Sequence, residues 1–149
     1  MPVAFAAGVV VMVVLLGAFE LLTHVAGGRS PAVQQHLPFG PAEQKAAEHI
    51  HFESLRLSQA TNFLNQEFTF VSGVLSNDGV GTLGDVEVTL EFRDPFNEVV
   101  LRESRRTFAP NSPPLFGGEK RAFEIMLDSV PATWNKQSPS IRITGLVLK

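Results

Sequence analysis

Two different periods of apolar residues run along the chain. In GDVEVTLEFRD (84–94), apolar side chains at Val86, Val88, Leu90 and Phe92 alternate with Glu87, Thr89, Glu91 and Arg93. A period of two sends successive side chains to opposite faces, so this stretch predicts a strand with one wet and one dry face. The same pattern predicts further strands at 53–59, 67–77, 98–105, 121–128 and 140–148. Between them stand the turn signals NDGVG from Asn77, DPFN from Asp94 and PNSPPLFGG from Pro110. Short strands at this spacing, with no long helix between them, predict an antiparallel sandwich.

The turn chemistry is specific enough to place side chains. In DPFN, Asp94 can accept bonds from its own backbone and Pro95 presets φ, so the segment joins two strands as a hairpin. That hairpin is expected to bury Val86, Val88, Leu90 and Phe92 beside Val99 and Leu101, each contributing about 1.5–3 kcal/mol. NDGVGTLG lacks the Gly-Lys-Ser/Thr ending of a phosphate loop, so Gly79, Gly81 and Gly84 are expected to supply positive φ at a reversal. Two adjacent prolines in NSPPL exclude a central strand and predict an exposed connection. Trp134, the one tryptophan, is expected to close an end of the core with its N–H on a backbone carbonyl.

The N-terminal period is different. Residues 3–19 carry no charge, and apolar character resumes after Glu20 at Leu21, Leu22, Val25 and Ala26. About 20 helical residues span a bilayer core, so 1–26 is expected to be a single transmembrane helix serving as a retained signal anchor. A cleaved signal would want a basic start, and no Lys or Arg precedes Gly8. Glu20 and His24 lie one helical turn apart, at the headgroup level in the simpler reading. The sharper alternative makes His24 an axial ligand to a pigment metal. Residues 27–50 begin with paired glycines and hold three prolines, which reads as a linker with a short helix near Ala47 and with His36 in a free tether. The sandwich then occupies 51–149. Arg29 and Lys45, which follow the span, are too few to fix its orientation.

Composition narrows the function. A formal charge of −3 with interspersed signs gives no nucleic-acid footprint, and the absence of cysteine removes disulfides, thiolate metal sites and cysteine nucleophiles. Twelve phenylalanines and no tyrosine point to a core of Phe, Val and Leu. EHIHFE (48–53) would place His49, His51 and Glu53 on one strand face, where two imidazoles can share a metal such as copper or zinc, although no third partner stands at a recognisable spacing. Ser72 falls inside an alternating strand, away from any nucleophile elbow. Glu87 and Glu91 share a strand face, as a glycosidase pair could, but carboxylates on a solvated strand are the ordinary case. RESRR (102–106) could meet anionic headgroups or an acidic partner, and reads first as a solvated strand end.

Longer segments carry a family resemblance. FVSGVLSNDGVGTLGDVEVTLEFRDPFNEVV resembles the FxLYD-type and related immunoglobulin-like domains of bacterial envelope proteins, and LFGGEKRAFEI resembles their Leu-x-x-Gly-Glu…Phe segment. VPATWNKQSPSIRIT is similar to the closing segment of the membrane-anchored DUF2393 family. The likeness covers about the last ninety residues, and Arg93 departs from it where an aromatic is expected before the Asp. The resemblance implies a domain with no catalytic residues, facing out of the cytoplasm in the periplasm. The expectation is therefore a non-catalytic, single-pass membrane protein, requiring no cofactor, that serves as an accessory subunit of a larger bacterial membrane complex, respiratory or photosynthetic. Its partners would be the bilayer and other subunits of that complex. The alternatives are a metal-binding envelope protein using His49 and His51, or a pigment-associated subunit using His24.

Overall fold

The structure, a computed structural model, describes residues 35–149. The expected span at 1–26, with Glu20 and His24, lies outside the described residues. Among the described residues, no helix is long and apolar enough to cross a membrane.

One short helix, α1 (Pro41–Ala47), precedes six strands: β1 (Ile50–Thr61), β2 (Glu67–Asn77), β3 (Leu83–Arg93), β4 (Val99–Arg106), β5 (Lys120–Leu127) and β6 (Ser140–Leu148). They form two antiparallel three-stranded sheets with orders β1-β2-β5 and β4-β3-β6. The all-β, sandwich-like arrangement matches the expectation. Each sheet turns its period-two apolar face inward. Val86, Val88, Leu90 and Phe92 of β3 join Val71 and Leu75 of β2 and Phe123, Ile125 and Leu127 of β5 in one core. Trp134 closes that core as expected: it is buried, stands edge-on to Phe92 at 5.3 Å, and donates Nε1–H to the Gln137 carbonyl at 3.0 Å.

The connection 78–82 carries the chain from the end of β2 to the start of β3 in the other sheet, which fixes two poles. The pole holding 78–82 also receives α1, since the His49 carbonyl accepts from Asp78 N at 2.8 Å; we call it the helix pole. The opposite, turn pole holds the β1–β2 hairpin, the β3–β4 hairpin and the segment 128–139 before β6.

Several local expectations are corrected. The reversal at 78–82 does not rest on left-handed glycines, because Gly118 is the one described glycine with positive φ. Instead, the Asn77 side chain accepts from Gly79 N and donates to the Gly81 carbonyl, imposing the bend by hydrogen bonding. PNSPPLFGG is not wholly exposed: Leu115 is buried and exchanges two backbone bonds with Leu83. A register shift beside Arg93 turns Val99 outward, so the hairpin buries Leu101 only in part and leaves Val99 38% exposed.

Residues 36–50, placed with the linker on sequence grounds, belong to the compact unit His36–Lys149. Pro41 opens α1 at a position whose missing N–H costs nothing, and Ala46 and Ala47 pack on the core. Ahead of α1, the Pro38 carbonyl accepts from Leu146 N at 2.9 Å, so the chain passes beside β6 at this point.

Strand edges show their own irregularities. In β1, Ser54 and Leu55 together oppose Gly73, with Ser54 at φ 53°. This bulge brings backbone close enough that a Cβ on Gly73 would stand 3.1 Å from the Glu53 carbonyl oxygen. In β4, Glu103 and Arg105 sit opposite Leu90 and Val88, on the core side, and pair with each other at 2.6 Å.

Candidate functional site: buried carboxylates under three arginines

The outer face of the β4-β3-β6 sheet departs most from the sequence expectation. Alternation along β3 marks Glu87, Thr89 and Glu91 as wet, yet all three are buried, with Glu87 only 4% and Glu91 only 5% exposed. The cause is position. β3 is the central strand, so β4 and β6 flank it, and long side chains from both fold over its polar row.

At the turn-pole end of the row, Glu91 gathers three guanidinium groups. Arg102 of β4 places Nε at 2.9 Å and Nη2 at 2.8 Å from Oε1, Arg142 of β6 places Nη2 at 2.9 Å from the same oxygen, and Arg93 reaches Oε2 at 3.1 Å. Lost hydration pushes the Glu91 carboxyl up, but Arg102, with Arg142 and Arg93 behind it, outweighs that effect and holds it below its ordinary value of 4.5. Three cations share one anion, leaving two positive charges in surplus, and the Arg102 and Arg142 side chains are largely open to solvent.

The middle of the row is neutral. Thr89 Oγ1 bonds Ser104 Oγ and Thr144 Oγ1, both at 2.9 Å, and the Thr144 hydroxyl donates to Glu87 at 3.5 Å. At the other end, His36 Nδ1 lies 2.8 Å from Glu87 Oε1 and the Leu37 amide donates to Oε2 at 3.2 Å. His36 is thus held by the sheet rather than free in a tether. Farther along β3, Asp85 faces Arg106 at 3.4 Å; burial pushes its carboxyl above the ordinary value, against the pull of the Val86 amide and Arg106.

This arrangement suits recognition better than acid–base chemistry. Residues four apart on a strand are separated by about 13 Å, beyond the 5–9.5 Å that glycosidase carboxylates keep. Glu91 is held as a carboxylate and makes a poor proton donor at neutral pH. The basic cluster RESRR is the solvated end of β4, where Arg102, Arg105 and Arg106 pair with Glu91, Glu103 and Asp85.

The other candidates are placed as follows. His51 lies in β1 opposite Ser76, with Nε2 3.6 Å from Asp78 Oδ2, whereas His49 lies in the turn before the strand. The two imidazoles therefore do not share a strand face as expected. Glu53 is engaged by Lys120 at 2.8 and 2.9 Å. Among the described residues, no group of three or more His, Cys, Asp or Glu side chains is arranged to hold a metal ion. Ser72 pairs with Arg56 and Glu124 in mid-strand. The buried carboxylates were missed because alternation reports only which side of a strand a residue faces. Arginines in paired strands, at Arg93, Arg102 and Arg142, were the signal that the outer side is covered.

Comparison with family models, with curated proteins and with solved structures returns no match, so the reading of this chain rests on its own residues.

Proposed function

We propose that this chain is a membrane-anchored, non-catalytic interaction module whose immunoglobulin-like domain docks an acidic segment of a partner subunit. The observation that carries the reading is the cluster of Arg93, Arg102 and Arg142 on Glu91. A buried carboxylate fixes three guanidiniums in place while their outer edges stay exposed, which lowers the ordering cost of a bidentate contact with carboxylates. The wiring of β1-β2-β5 against β4-β3-β6 supports the resemblance to envelope immunoglobulin-like domains. The apolar run 3–26 supports an anchor, which keeps the module within reach of membrane partners. In this reading the domain is an accessory subunit on the extracytoplasmic side of a larger membrane complex.

The test is extraction from native membranes in mild detergent, followed by mass determination of the particle carrying the chain. A large particle of fixed stoichiometry is expected for the wild type. The Arg102→Glu/Arg142→Glu chain should leave that particle and run alone. A free wild-type monomer counts against the proposal.

A further inference from the structure

We infer that β5 is the seat of a symmetric pair, in which it joins antiparallel to β5 of a second copy and sets Lys120 against Glu124 across the join. The inference depends on neither the anchor nor the arginine face, which belongs to the other sheet.

Four strands end the two sheets: β1 and β5 in one, β4 and β6 in the other. Three of these edges are obstructed. β1 carries the bulge at Ser54, β4 turns the Glu103 and Arg105 pair toward the core, and β6 gives its Leu146 amide to the Pro38 carbonyl. β5 has no such device. Its eight residues pair with β2 one for one, from Lys120 opposite Ser76 to Leu127 opposite Thr69, with no register shift. It holds neither proline nor glycine. Among the described residues, nothing bonds the backbone on its outer side. A straight edge of unbonded N–H and C=O groups is a template for adding one more strand.

The side chains select which strand fits. Away from the core, β5 shows Lys120, Ala122, Glu124 and Met126, all exposed. Two identical strands paired antiparallel about Ala122 put Lys120 of each copy opposite Glu124 of the other. Two opposite-charge pairs then flank a contact between two small side chains. Centring the pair on Phe123 instead would set Lys120 against Met126, and centring it on Glu124 would set like charges face to face. Glu124 makes no hydrogen bond or ion pair among the described residues. Lys120 lies on Glu53 of β1 at 2.8 and 2.9 Å, with both side chains about half exposed. Exposed pairs of this kind contribute little, so Lys120 can turn to the second copy at small cost.

The contact also closes on itself. It joins two sheets into one of order β1-β2-β5-β5-β2-β1, and both of its new ends are the bulged β1. An isologous contact of this type stops at two copies.

The experiment is sedimentation equilibrium of the full chain in density-matched detergent. The wild type is expected as two copies. Lys120→Glu alone and Glu124→Lys alone each place like charges across the join, so each should sediment as one copy, with a dissociation constant raised at least tenfold. An equimolar mixture of the two variants should return to two copies, because every contact again joins opposite charges. Amide hydrogen exchange over 120–124 should be slow in the wild type and the mixture and faster in each variant alone. A wild type of one copy overturns the inference. So does a wild-type pair that both variants keep, which places the contact outside β5, and so does a mixture that stays single. Equal exchange in all four samples overturns the strand pairing.

Discussion

Glu91 and Asp85 lie on the same face of one strand, and burial pushes both carboxyls up, yet their net shifts are opposite because their neighbours differ. Glu91, among three arginines, has a lowered pKa. Between that lowered value and 4.5 the unfolded chain binds more protons than the folded one, so stability rises with pH across this window. Its contribution is complete above the ordinary value and lost as pH falls through the folded one. Glu91→Gln should flatten the acid limb of a melting-temperature profile and lower the melting point by several degrees at neutral pH. Asp85 has a raised pKa, so the folded chain binds the extra proton and stability falls as pH rises above 3.8. Asp85→Asn keeps an oxygen for the Val86 amide and should raise the melting point slightly at pH 7, with no gain below the ordinary value. Thermal melts of both variants from acid to neutral pH check the two signs together.

At the scale of elements, the two hairpins and the segment beside β6 carry the testable strain. Asn97 holds φ 68°, which a β-branched residue resists, so Asn97→Val should cost about 1–2 kcal/mol while Asn97→Gly costs little. Chemical denaturation of the pair measures the difference. A Cβ on Gly145 would stand 2.6 Å from the Leu37 Cβ, and neither atom is the end of a flexible chain. Gly145→Ala should lift 36–38 off the sheet, and hydrogen exchange at the Leu146 amide should accelerate as its bond to Pro38 is lost. Element boundaries were legible because turn chemistry is local: DPFN marks its own hairpin and Trp134 its own end of the core. The bulge at Ser54 was not legible, since it depends on Gly73 in another strand. Nor was the burial of Glu87, which needs His36 from 51 residues away.

For the whole molecule, the period-two stretches read as a sandwich form the two sheets, and residues 36–50, read as linker, pack in the same unit. Residues 36–50 lack strong periodicity, so they read as linker, although they supply α1 and the cover over Glu87. A fragment beginning at His36 should unfold in one cooperative transition. One beginning at Ile50 should melt at a lower temperature and expose the outer face near Glu87, which calorimetry of the two fragments compares.

Every open sheet invites a neighbour's strand, and tethering copies to one surface would concentrate them. The irregularities of this fold read as safeguards against that outcome. The bulge at Ser54 interrupts the ladder along β1, the inward pair Glu103 and Arg105 makes β4 costly to extend, and Pro38 takes one backbone bond on the edge of β6. A chain built this way can be crowded without zipping into fibrils through these three edges.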